Sequence, residues 1–188
     1  MPRLTALLAA TTVTALLAAC ADTGTLGGPT PTEPSATRAE ESVHRIEIHD
    51  ACDPMSFNAA LGAGTCARSG GVNFEQFIAQ LTKNGSIGAW NFAPGHVEAK
   101  VGQVLLAINR GGEAHTFTEV EEFGGGIVPL LNQLSGNTTV APECQALAQD
   151  DLIPPGGFDD DDEVEEPGTE KYQCCIHPWM RAIVTARR

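Results

Sequence analysis

The densest chemistry in the chain is "YQCCIHPWM", residues 172 to 180, where Cys174, Cys175, His177 and Met180 fall within seven positions. Thiolate, imidazole and thioether are soft or borderline ligands, the set that selects copper or zinc over magnesium or calcium. Two adjacent cysteines on an extended segment point to opposite faces, so only one of them can serve a given metal. The chain has five histidines, His44, His49, His96, His115 and His177. His115 stands in "INRGGEAHTFTEV", a short apolar run, a glycine turn and a second short run.

These side chains need a scaffold from distant parts of the chain. Val43 to Asp50 alternates apolar and polar residues and predicts a strand. From Gly88 onward, short aliphatic and aromatic runs are broken by Pro94-Gly95, Gly102 and Gly111-Gly112. They predict strands near Val97–Lys100, Gln103–Asn109 and His115–Val120, and a last pair at Lys171–Cys175 and Ala182–Ala186. One helix is expected near residues 74–83. Asn73 and Gln76 match a capping box, Phe74, Phe77, Ile78 and Leu81 follow the i, i+3, i+4, i+7 spacing, and Asn84-Gly85 ends it. Many short strands with Gly/Pro turns predict an all-β sandwich or barrel.

"INRGGEAHTFTEV" and "YQCCIHPWMRAIVTA" together resemble the two copper-binding segments of the cupredoxins, with a Cys174-x-x-His177-x-x-Met180 spacing most similar to amicyanin. The resemblance spans roughly residues 88 to 186. It implies a Greek-key β-sandwich and a type-1 copper ion held by His115, Cys174 and His177, with Met180 as a weak axial ligand. It also implies that Asn109 ties the His-bearing loop to the Cys-bearing one, while Pro178 stiffens the ligand loop and removes an N–H. The function implied is one-electron transfer between redox partners rather than enzymatic turnover. Copper binding or delivery without obligatory electron transfer is the alternative. A zinc site from Cys144, Cys174, Cys175 and His177 is conceivable in ligand type but leaves His115 and Met180 unexplained. A dinuclear copper centre needs bridging cysteines several residues apart, and a multicopper oxidase needs His-x-His pairs that this chain lacks.

The other cysteines follow from that assignment. Residues 1–19 have the n-region and apolar stretch of a secretory signal. Leu17-Ala18-Ala19-Cys20 resembles a bacterial lipobox, which implies lipidation of Cys20 and export as a membrane-anchored lipoprotein. Residues 20–42, rich in Gly, Pro, Thr and Ser, read as a flexible tether, leaving 43–188 as the domain. Cys52 and Cys66 bracket a turn-prone stretch and predict a disulfide worth about 3 kcal/mol. With Cys174 on the metal, Cys175 faces away and a Cys144–Cys175 disulfide is expected, although four cysteines allow three pairings and a free Cys175 is the alternative.

Within the domain, residues 43–87 read as an extension to which residue types assign no function. Residues 121–170 read as an insertion before the last strand pair. Ile127 to Leu134 is expected to dock on the sandwich or beside the copper site. The run from 159 to 166 holds seven carboxylates in eight positions. It reads first as a solvated acidic loop, and second as a docking patch for a basic redox partner. Val164 stands where a calcium-binding EF-hand loop needs glycine. The formal charge is −13. Removing residues 1–19 takes away only Arg3, giving 10 basic minus 24 acidic groups, or −14. Such a balance disfavours nucleic acid and favours basic partners. A monomer is expected.

Overall fold

A computed structural model describes residues 43–188, so the signal segment, Cys20 and the tether lie outside the described residues. Eight strands form two four-stranded mixed sheets. In the first, the order is β2 (Asn91–Ala93), β1 (Val43–His49), β4 (Val104–Asn109), β6 (Phe158–Glu163). In the second, it is β3 (His96–Lys100), β8 (Arg181–Arg187), β7 (Gly168–Gln173), β5 (Thr118–Glu119). Non-consecutive neighbours in both sheets, with β1 parallel to β4 and β3 parallel to β8, mean that the chain crosses repeatedly between sheets. The all-β sandwich expected from the sequence is the architecture found.

The period-2 pattern explains the inner faces. Ile46 and Ile48 of β1, Leu105 and Ala107 of β4, Val97 and Ala99 of β3, and Ala182 and Val184 of β8 are buried in one core. Aromatic rings stitch the sheets together: Phe117 lies 5.2 Å edge-on from Phe92 of β2 and stacks at 4.4 Å on Tyr172 of β7.

Four helices are described. The expected one, α2 (Phe74–Asn84), carries its capping box, with the Asn73 side chain accepting the Gln76 N–H, and ends at Gly85 in the left-handed conformation at φ 70°. The others were not read from the sequence: α1 (Pro54–Leu61), α3 (Pro129–Ser135) and α4 (Pro142–Gln145). Each begins with proline, which fits a first helical turn because that turn has no partner for its N–H. Asp53 caps α1 by accepting the Ser56 N–H at 2.9 Å. Phe57 of α1 meets Phe74 and Phe77 of α2 and Trp90, with centroids 5.4 to 6.0 Å apart.

Three expectations are corrected. The extension over residues 43–87 is built into the sandwich, because β1 is an inner strand with a neighbour on each side. The acidic run is not simply a loop: Asp159 to Glu163 belong to β6, antiparallel to β4. The backbone ladder to β4 and the buried Val164 outweigh the poor strand propensity of Asp. At a sheet edge those charges also discourage further strand pairing. Lastly, the strand read over His115–Val120 shrinks to Thr118–Glu119, because His115 forms a separate bridge with Ile153 of the insertion.

Candidate metal centre

His115 reaches the site from the segment between β4 and β5, and its backbone is fixed by Ile153. The His115 N–H donates to the Ile153 carbonyl at 3.1 Å, and the Ile153 N–H returns to the His115 carbonyl at 2.8 Å. Cys174 follows the last residue of β7. The segment from it to Met180 is a closed turn, in which the Cys174 N–H donates to the Met180 carbonyl at 3.1 Å and the Met180 N–H donates to the His177 carbonyl at 2.9 Å. Pro178 is buried in this turn.

His115, Cys174 and His177 converge, with one donor atom from each lying within 4.8 Å of the others. Cys174 Sγ is 3.7 Å from His115 Nδ1 and 3.8 Å from His177 Nδ1. A metal about 2.0 Å from an imidazole nitrogen and about 2.3 Å from a thiolate subtends 120° when those atoms are about 3.7 Å apart. The donors are enclosed: His115 and Cys174 are 0% exposed and His177 is 2% exposed. Met180 is fully buried in the same core cluster as Cys174. The residues therefore fit a single metal ion. His44 pairs with Gln103, His49 with Glu47 and His96 with Thr185, so the other three histidines lie outside the group.

The local electrostatics prepare Cys174 as a thiolate. Burial pushes its thiol up, but hydrogen bonds and charge from His115 and His177 overcome this and hold it well below its usual value. Two backbone N–H groups also point at the sulfur, from Thr116 at 3.5 Å and His177 at 3.4 Å. For His115, burial opposes the charged form. The Asp50 carboxylate and Cys174 reverse that and raise its pKa to about 9. Burial likewise pushes the Asp50 carboxyl up, but hydrogen bonds from His115 and from the Glu113 and Gly112 N–H groups hold it far below the ordinary carboxylate range.

Cys175 turns away from the donors into a disulfide with Cys144, and a second disulfide joins Cys52 to Cys66. Cys174 is the free cysteine among the described residues. The Cys144–Cys175 bond removes two of the four ligands that a zinc site of Cys144, Cys174, Cys175 and His177 would need. The insertion is fastened to the same place. The Ile127 N–H donates to the Cys175 carbonyl at 2.7 Å, the Gly124 N–H donates to Gln173 Oε1 at 2.9 Å, and Asn132 brackets the Gly126 N–H and carbonyl. Gly126 must lack a side chain, because a Cβ there would overlap the Cys175 carbonyl.

Asn109 does not take the bridging role expected of it. Its Nδ2 donates to the Glu113 and Ile153 carbonyls at 2.8 and 2.9 Å, and its Oδ1 accepts the Gly111 N–H at 2.9 Å. It therefore braces the His115 segment against the insertion. The link between the two ligand segments is Thr116, whose Oγ1 accepts the Cys175 N–H at 2.8 Å. Two buried acids were also missed. Asp50 Oδ2 lies 3.0 Å from His115 Nε2, and Glu113 Oε2 lies 3.7 Å from His177 Nε2. No short motif marks either acid; Asp50 is 65 positions from its histidine.

No protein-family model matches the chain, and neither does any curated protein. Solved structures similar to it include a purple cupredoxin from Nitrosopumilus maritimus, with TM-score 0.42 and 17% identity over 76% of this chain and 98% of that one. They also include oxidised plastocyanin from Dryopteris crassirhizoma, with TM-score 0.38 and 14% identity over 77% of this chain and all of that one. An oxidised amicyanin mutant aligns over 50% of this chain and 70% of that one, with TM-score 0.33 and 22% identity.

Proposed function

We propose that this chain is an exported, membrane-anchored copper protein that carries single electrons between redox partners. The observation that supports it most is the enclosed trio of His115 Nδ1, Cys174 Sγ and His177 Nδ1, closed on a metal-sized triangle. In this reading His115, Cys174 and His177 would hold one type-1 copper ion, with Met180 as a weak fourth ligand. A thiolate with two imidazoles and a thioether is the donor set of such electron-transfer sites, and zinc has little use for the thioether.

When bound, copper supplies a one-electron change between its divalent and monovalent forms with little reorganisation. The chain supplies the rest. The ring of hydrogen bonds between Cys174 and Met180 holds the loop in one geometry, and burial of the donors keeps water away from them. Cys174 offers a covalent path from the metal to β7. The acidic strand β6 and its neighbours would favour basic redox proteins and speed their approach in a salt-sensitive way. The two disulfides suit an oxidising compartment, and lipid on Cys20 would tether the domain there.

The visible spectrum of the copper-loaded protein tests the reading. An intense thiolate-to-copper band, lost in Cys174→Ala, together with reversible one-electron voltammetry, is the expected result. A copper-bound form with the band but no reversible redox cycle would instead favour copper delivery.

A further inference from the structure

Each imidazole of the donor group presents Nδ1 to Cys174 and Nε2 to a buried acid, but the two acids are not equivalent. Asp50 stands at the end of β1, and its side chain is 1% exposed. Its Oδ2 accepts three N–H groups, from Gly112 at 2.8 Å, Glu113 at 2.9 Å and His115 Nε2 at 3.0 Å, while Oδ1 accepts the Cys52 N–H at 3.2 Å. Such a carboxylate is fully committed as an acceptor and is wedged into the turn that carries His115. Gly111 has no room for a side chain because a Cβ would overlap the Asp50 carboxylate. The Cys52–Cys66 disulfide begins two residues further on, and the Gly112 carbonyl accepts the Ala67 N–H at 2.8 Å, so β1 and this turn are locked together. Glu113 is held differently. Its Oε2 accepts Trp90 Nε1 at 2.7 Å, and 3.7 Å to His177 Nε2 is too long for a hydrogen bond.

We infer that Asp50 is the positioning residue of His115: it fixes the ring as the Nε2–H tautomer, leaving Nδ1 for the metal, and its buried charge favours a divalent over a monovalent ion. An imidazole whose far nitrogen donates to a carboxylate is oriented and made a stronger donor. A negative charge beside the site also stabilises the higher metal charge more than the lower one. Glu113 lies near His177 without a hydrogen bond that would orient its ring, so it serves as the graded comparison. The inference rests on the copper reading of the site.

The test uses the folded protein loaded separately with zinc(II), cobalt(II) and copper(I). In the zinc(II) form, nitrogen-15 spectroscopy is expected to show His115 protonated at Nε2 and metal-bound through Nδ1. Asp50→Asn, checked for folding by near-ultraviolet circular dichroism, is expected to weaken cobalt(II) binding about 10- to 100-fold. Copper(I) binding should fall at least tenfold less, so that the copper midpoint potential rises by about 59 mV per tenfold difference. Glu113→Gln should shift the preference less and leave the His115 nitrogen signals unchanged. His115 protonated at Nδ1, or a folded Asp50→Asn that loses both ions equally, overturns the inference. If Asp50→Asn fails to fold, the nitrogen-15 result on the unaltered protein decides. Unaltered protein that gives no cobalt–thiolate band overturns the metal reading itself, and the inference with it.

Discussion

Thr116 and Cys175 join the two ligand-bearing segments: the Thr116 hydroxyl accepts the Cys175 N–H at 2.8 Å, and both residues are fully buried. Each is the immediate neighbour of a candidate metal donor, His115 on one side and Cys174 on the other. The Thr116 N–H points at the Cys174 sulfur as well. One side chain therefore sets the spacing of a histidine and a cysteine that are 59 positions apart.

Thr116→Val removes that acceptor while nearly preserving shape, leaving the buried Cys175 N–H unsatisfied. We expect a loss of about 1–3 kcal/mol in denaturant unfolding and a shifted thiolate-to-metal band. Thr116→Ser should recover most of both. An unchanged band in Thr116→Val would mean that the loop is held without this contact.

The Cys144–Cys175 disulfide is structural on this reading, whereas Cys174 is the ligand. The paired substitution Cys144→Ala with Cys175→Ala should cost about 2–4 kcal/mol of stability and keep the metal–thiolate band. Cys174→Ala should abolish the band. The two outcomes separate adjacent cysteines by a spectrum and a melt.

Gly126→Ala places a methyl group against the Cys175 carbonyl. Because the obstacle is backbone, relief requires the insertion to lift off the ligand loop. A destabilisation of about 2 kcal/mol or more, together with loss of hydrogen-exchange protection at the Ile127 N–H, is expected. Gly136→Ala, at a position with open space but φ 76°, should cost about 1 kcal/mol from backbone strain alone and leave that protection intact.

The acidic edge gives a pH signature. Burial, then the charges of Asp159, Glu119, Glu170 and Asp161, raise the Asp162 pKa to about 7. A carboxyl raised on folding binds its proton more tightly in the native state. Its contribution therefore falls as pH climbs from its unfolded value near 4 to about 7, and is level above that. Asp162→Asn should raise stability at pH 8 by about 1 kcal/mol, below the full conversion of the shift because water screens the strand. It should have little effect at pH 4. Thermal melts of both proteins at the two pH values check this, and an equal effect at both would refute the assignment.

The sandwich was legible in the sequence because its signals are local. The alternation of Val43–His49 and the capping box at Asn73–Gln76 depend on neighbours two to four positions away. The candidate donors were read from resemblance instead: Cys174, His177 and Met180 share one turn whose spacing is similar to a known copper-ligand loop, and His115 stands in a segment similar to its counterpart. The assignment of Cys175 away from the metal followed from side chains alternating about an extended chain. In contrast, α1, α3 and α4 were hidden among glycines and prolines that read equally well as turns. The acidic run gave no hint of β6, because only the ladder to β4 makes a strand of those aspartates.

Periodicity and turn residues by themselves pointed to a sandwich, while the resemblance of two short segments to a known ligand pattern supplied the candidate metal ligands and the expectation that two adjacent cysteines part ways. Tertiary structure alone decided what surrounds those ligands. Asp50 meets His115 because β1 is an inner strand ending beside the turn after β4, and Thr116 replaces Asn109 as the bridge because Ile153 claims the asparagine. The physical reason is range. Periodicity and ligand spacing are set by covalent neighbours, whereas hydrogen-bond partners and burial depend on which distant strands the sheets bring side by side.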